Sequence, residues 1–312
     1  MADLVAKADK KLRGGGLMSF FSGPPYDECQ ELYEQACNQL KLEKNFQLAA
    51  EVYLTKLTHV AEQGGAPRFQ RANYFVEGGK CLQKASLNIK PALQAFNTAI
   101  TLWGQDGKYM QSGKQLKTIA ETLEEEQMGT DDENMIKEYY QRACDMFEMD
   151  DYGKSLLSQC KLKLADFSSR SGDYKAAIMV YESEARACLS NNLRQYGAKD
   201  LFWQAGVLHM VMGDLITCKI QRDRYASEDP RFASSMEGAL FSKLLAAIEG
   251  NDEKAFTEAL GDYDDTKPLE PWFVTHLQTV KANFFGIGAK VGGGAMNDFV
   301  DDGPDDDGLD LS

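Results

Sequence analysis

The chain has 312 residues, 43% hydrophobic and 26% charged, with eight prolines; that suits either one elongated repeat domain or two compact ones, in a mostly helical protein. A net charge of −14 argues against nucleic-acid binding, because phosphate would be repelled by all but a segregated basic face. The longest charge-free stretches, 14–26 and 201–213, fall short of the roughly 20 apolar residues that a membrane-spanning helix needs.

Residues 1–26 read as an N-terminal helix followed by an apolar loop. Lys7, Lys10, Lys11 and Arg13 are not preceded by a long apolar run, so this is not a secretory signal, and a cytoplasmic protein is expected. The segment GGGLMSFFSGPPY sets Leu17, Met18, Phe20 and Phe21 between glycines and prolines, which disfavour a regular helix. Such a loop either packs on the first repeat or meets a membrane. Burying Phe20 and Phe21 in lipid would contribute roughly 1.5–3 kcal/mol each, a reversible anchor that becomes useful through avidity.

Residues 27–198 carry a repeat. Phe46, Phe69, Ile89, Tyr109, Tyr152 and Tyr174 recur at steps of about 21 residues, with one position skipped near Asp131, each just ahead of a stretch with apolar positions at i, i+3, i+4 and i+7. NFQLAAEVYLTKL, NIKPALQAFNTAITLW, DYGKSLLSQCKLKLADF and GDYKAAIMVYESEARACL show the pattern. Helices joined by short turns make antiparallel pairs of about 42 residues. Paired alanines at 49 and 50, 92 and 95, and 176 and 177 permit close approach. The fold expected is all-α, a tetratricopeptide-like right-handed superhelical α-solenoid with a C-terminal helical bundle; a plain bundle of unrelated amphipathic helices is the alternative.

Charge alternates along the repeats. Lys108, Lys114 and Lys117 precede a run from Glu121 to Asp151 with twelve acidic and two basic residues, and Lys154, Lys161 and Lys163 follow. If successive helices line opposite faces, the cations offer a surface to an acidic elongated partner; the bland reading is a set of solvated lysines.

From 199 to 285 the helices become more apolar, with loops expected at 227–230 and 262–271, which suits a terminal bundle capping the stack. Residues 286–312 are Gly- and Asp-rich, and disorder is expected. Seven aspartates and no basic residue follow from Asp298, and Leu309 and Leu311 sit at the extremity. A coil of this length would reach on the order of 30 Å.

No catalytic apparatus or cofactor site is visible in the sequence, which leaves open only scattered Asp and Glu brought together by the fold. His59, His209 and His276 are scattered, and neither a nucleophile elbow nor a phosphate loop occurs. GIGAKVGGG has the wrong spacing for dinucleotide binding. The seven cysteines form no Cys-x-x-Cys pair, so buried free thiols are expected rather than disulfides or zinc.

The FFSG loop, the tetratricopeptide-like repeats and the acidic, leucine-bearing end together resemble the soluble NSF attachment protein (SNAP) family, nearer its α/β branch than its γ branch. LRQYGAKDLFWQAGVLHM, EDPRFASSMEGALFSKLLAAIEGND and YDDTKPLEPWFVTHLQTVK extend the likeness over residues 1–285. The resemblance implies a non-catalytic adaptor, several copies of which surround a SNARE four-helix bundle and recruit the hexameric ATPase NSF for SNARE disassembly in vesicle trafficking, peripherally on membranes of the secretory and endocytic pathway. It implies that Leu17, Met18, Phe20 and Phe21 touch the membrane and that Lys108, Lys114, Lys161, Lys163 and Lys199 face the SNARE bundle. Leu309, Leu311, Asp305, Asp306 and Asp307 would belong to the NSF-stimulating terminus. Gln159 and Met236 stand where α-type members carry basic residues. A generic tetratricopeptide-like scaffold that binds some other acidic helix is the rival reading.

Overall fold

The structure is a computed structural model that describes residues 2–13, 24–126 and 130–286. Among these, helices are joined by short turns and no strand occurs, so the fold is all-α. The chain divides into two compact units, Met1–Ala187 and Cys188–Ser312, a division that falls ahead of the change in pattern at Lys199. The loop residues Leu17, Met18, Phe20 and Phe21 lie outside the described residues, as do Asp305, Asp306, Asp307, Leu309 and Leu311 of the tail.

The first unit begins with α1 (Ala2–Leu12) and α2 (Tyr26–Leu42). Cys29, Tyr33, Ala36, Cys37 and Leu40 recur on one stripe of α2 and are buried, the helical period turned into a core face. Next comes α3, which consists of Phe46–Glu51, a π-helical stretch Val52–Leu57 and Thr58–Gln63. The unit continues with α4 (Arg68–Ser86), α5 (Leu93–Gln105), α6 (Tyr109–Glu125), α7 (Thr130–Glu148), α8 (Lys154–Arg170) and α9 (Tyr174–Leu189). From α3 to α8 each helix packs on the next, as in a solenoid of antiparallel pairs.

The repeat length is visible in its hydrogen bonds. Lys41 of α2 reaches Glu77 of α4 at 3.1 Å across 36 residues, and Lys163 of α8 reaches Glu124 of α6 at 2.7 Å across 39. In the other layer Asn97 of α5 meets Tyr139 and Arg142 of α7 at 2.8 and 3.0 Å, across 42 and 45 residues. Helix n therefore lies beside helix n+2, and even- and odd-numbered helices form two layers. Close approach is set by glycine. A Cβ on Gly79 would stand 2.6 Å from the ring of Phe96, and one on Gly113 would stand 2.6 Å from Phe147.

The second unit centres on α10 (Ala198–Val211), whose buried residues include Phe202, Trp203, Val207, Leu208 and Met210. A helix apolar on nearly every side must be surrounded. Around it lie α11 (Leu215–Glu228), the short α12 (Pro230–Ala233), α13 (Met236–Glu249) and α15 (Pro271–Phe285), with α14 (Glu253–Asp264) against α13. Phe202 stacks on Tyr225 with centroids 4.6 Å apart, and Trp203 stacks on Phe273 at 5.9 Å. The loop expected at 227–230 shrinks to Asp229, because its carboxylate caps α12 by accepting from the Arg231 N–H at 3.1 Å.

Candidate partner-binding surface

Local sequence decides which lysines point outward on α6. Gly107 takes a left-handed φ of +67°, which a side chain would resist, and this turn delivers Lys108 to the helix start. Leu116, Ile119, Ala120 and Leu123 with Ser112 and Gly113 hold the inner face, so Lys114 falls on the outer one. Lys108 and Lys114 are both exposed. Among the described residues neither side chain makes an ion pair or hydrogen bond.

The lysines of α8 are differently placed. Lys161 pairs with Glu148 of α7 at 3.0 Å, and Lys163 pairs with Glu124. The α6 residue Lys117 turns back to Glu121 at 2.5 Å. The acidic run also works internally: the Glu126 carboxylate accepts the Ile89 N–H at 3.0 Å, and an Asp132 carboxylate oxygen meets Lys90 at 3.2 Å. The charge alternation read from the sequence is thus resolved in part by pairing between neighbouring helices. Lys108 and Lys114 of the expected set, together with the exposed Lys154, keep their charge for an outside partner. The exposed Lys161–Glu148 pair contributes about 0–1 kcal/mol, so Lys161 can exchange partners at little cost, whereas Lys163 is held by the half-buried Glu124.

Lys199, at the start of α10, belongs to the second unit and to a different environment. Its ammonium donates to Glu237 at 2.9 Å, and Glu237 is only 1% exposed. Lys267 donates to the same carboxylate at 2.8 Å and Tyr263 at 3.3 Å, while Asp200 balances Lys267 at 3.3 Å. Burial raises the pKa of the Glu237 carboxyl, but the bonds from Lys267 and Lys199 outweigh it and hold the group down at about 2. No pattern in the sequence marks Glu237, which sits in an apolar stretch; three donors from α10, α14 and the following loop meet it only in the fold.

Among the described residues no cluster of His, Cys, Asp and Glu could hold a metal ion. The Nδ1 of His276 lies 2.8 Å from the Trp272 carbonyl within its own helix.

Comparison with known proteins agrees on one family. A family model described as "Soluble NSF attachment protein, SNAP" matches residues 1–284. The "Alpha-soluble NSF attachment protein" of Vitis vinifera is 32% identical over 275 residues, covering 88% of this chain and 91% of the relative. The "Beta-soluble NSF attachment protein" of Bos taurus is 30% identical over 290 residues, covering 91% and 94%. The "Alpha-soluble NSF attachment protein" of Homo sapiens is 29% identical over 289 residues, with the same coverage.

Proposed function

Because the chain belongs to the soluble NSF attachment protein family, we propose that it is an adaptor, not an enzyme, that binds SNARE four-helix bundles and recruits and stimulates the ATPase NSF in vesicle trafficking and membrane fusion. The observation that supports SNARE binding best is the pair of unengaged ammonium groups, Lys114 on the outer face of α6 and Lys108 on the residue just before the helix begins. An acidic rod laid along that face finds two cations ready. Lys161 joins them by giving up the exposed Glu148 and Lys163 by leaving the half-buried Glu124, whereas Lys199 contributes from a fixed position because Glu237 holds it.

In the same reading several copies surround one bundle. Leu17, Met18, Phe20 and Phe21 touch the bilayer peripherally, and Leu309 and Leu311 with Asp305, Asp306 and Asp307 engage NSF. The division of labour follows from chemistry: large apolar side chains next to Lys10, Lys11 and Arg13 suit an anionic membrane, and a carboxylate-rich end suits a basic partner.

The experiment is a pull-down of a soluble SNARE bundle and NSF under non-hydrolysing conditions, with Lys108→Glu/Lys114→Glu, Phe20→Ser/Phe21→Ser and Leu309→Ala/Leu311→Ala variants. The charge-reversed protein should lose at least tenfold in SNARE affinity. In separate assays that allow ATP hydrolysis, the phenylalanine variant should slow disassembly on liposomes and not in solution, and the leucine variant should bind SNAREs but fail to stimulate the ATPase. Wild-type SNARE affinity in the charge-reversed protein, or no SNARE capture by the wild type, would favour a generic helical scaffold instead.

A further inference from the structure

In the second unit α14 and α15 form an antiparallel hairpin. Near the end of α15 the Lys281 ammonium donates to the Thr257 hydroxyl at 3.2 Å and meets Glu253, at the start of α14, at 2.8 Å. Phe256 of α14 packs edge-on against Phe285 of α15 at 5.5 Å. Between the two helices runs a groove of about 180 Å³. Its α15 wall is Val274, Leu277, Gln278 and Lys281, spaced i, i+3, i+4 and i+7, which is one stripe of a helix. Thr257 and Leu260 make the α14 wall, and Leu269 of the connecting loop lies at the end where the helices are joined. Leu260 and Leu277 are buried while Leu269 and Val274 stay half-buried, so apolar surface is left open along the groove.

The chain itself supplies an occupant. Gly286 ends α15 with a left-handed φ of +73° and donates its N–H to the Ala282 carbonyl at 3.1 Å, a helix stop that turns the following chain off the axis. The next residues therefore start at the Lys281 end of the groove. From Gly286 back to Val274 is 12 residues of helix, or about 18 Å. Phe299 lies 13 residues beyond Gly286, a length that spans up to about 43 Å when extended and about 20 Å as a coil. It is the only aromatic residue after position 286, and a phenyl ring has the volume and the apolar surface that this groove takes. Asp298, Asp301 and Asp302 flank it. The charges they would meet are balanced, since Glu253 answers Lys281 and Glu258 lies 3.6 Å from Lys254, one turn before Thr257. The ring, rather than charge, carries the contact.

We propose that Phe299 seats in the α14–α15 groove of its own chain and so ties the acidic end to the second unit. Docking leaves the 13 residues 300–312 beyond the anchor, in place of the 26 that follow Gly286. Because the reach of a coil grows as the square root of its length, the span open to the chain end falls from about 30 Å to about 20 Å. The concentration of Leu309 and Leu311 near the second unit rises accordingly. The contact lies within one chain and needs neither a SNARE bundle nor NSF, so it stands or falls apart from the adaptor reading.

The test is methyl NMR on the full chain labelled at Leu and Val, with Phe299→Ser and Met296→Ser as comparisons. Both substitutions lie beyond α15 and leave the helices as they are. In the wild type the methyl resonances of Leu260, Leu269, Val274 and Leu277 should carry ring-current shifts that vanish in Phe299→Ser and persist in Met296→Ser. The Phe299 ring protons should show nuclear Overhauser contacts to the Leu269 and Val274 methyls. Identical methyl spectra for the wild type and Phe299→Ser would overturn the docking. Shifts that grow with protein concentration would overturn it too, because the ring would then occupy the groove of a second copy. If Met296→Ser abolishes the shifts and Phe299→Ser does not, a different side chain fills the groove and the assignment to Phe299 fails.

Discussion

Glu237 keeps its negative charge at 1% exposure because Lys199, Lys267 and Tyr263 all donate to it. Its pKa in the folded chain, about 2 against an ordinary value of 4.5, makes the second unit sensitive to acid. The depressed value means that the contribution is complete above pH 4.5 and is lost as pH falls from there towards 2; its size is on the order of 3 kcal/mol. In urea titrations between pH 7 and pH 3, Glu237→Gln should be less stable than wild type at pH 7 and should change less with pH; equal slopes for the two proteins would refute the assignment. The thiols behave in the opposite sense. All seven cysteines are free and buried, and burial pushes Cys37 and Cys218 up to about 12. A disulfide reagent at pH 8 should therefore label the native protein slowly and the urea-unfolded protein at once; prompt native labelling would contradict the burial.

At the scale of elements, two helical glycines with opposite surroundings separate propensity from packing. Alanine is favoured over glycine in a helix by about 1 kcal/mol. Gly104, in α5, has open space where a Cβ would go, whereas Gly113, in α6, has the buried ring of Phe147 at 2.6 Å. Gly104→Ala should therefore raise the melting temperature by a few degrees, and Gly113→Ala should lower it, since overpacking costs about 1–3 kcal/mol and Phe147 at 1% exposure has little room to move. A stabilised Gly113→Ala protein would show that the α6–α7 contact is looser than described. The helix starts themselves were legible in the chain: Phe46, Tyr109 and Tyr174 each open a helix, and the step missing near Asp131 is filled by α7. The π-helical turn at Val52–Leu57 was not legible, because its widening brings Leu54 against Gly78 of α4, a contact absent from the local pattern.

At the scale of the whole molecule, the proposed function asks a chain of charge −14 to hold an acidic partner. About half of that charge comes from the seven aspartates after residue 297. Long-range repulsion between exposed charges is screened beyond about 10 Å at 0.1 M salt, so the tail should matter for SNARE binding mainly when salt is low. Deleting residues 298–312 should tighten binding to a SNARE bundle severalfold at 20 mM salt and leave it nearly unchanged at 300 mM, measured by biolayer interferometry. Weaker binding of the truncated chain at both salts would mean that the tail contacts the bundle rather than repelling it. Under the proposed role of Lys108 and Lys114, binding by the full chain should itself decline as salt rises.

The sequence by itself determined the helical class, the repeat of about 42 residues and the resemblance to the family, because apolar period and turn residues act locally and are written in order along the chain. It also placed Lys161 and Lys163 within a helical stretch. Only the tertiary structure decided which lysines of the candidate surface remain available. Lys163 is answered from α6 and Lys161 from α7, and Lys199 is claimed by a carboxylate 38 residues away. Pairing of this kind depends on distances of a few ångströms between separate helices, and those distances exist only once the helices have packed.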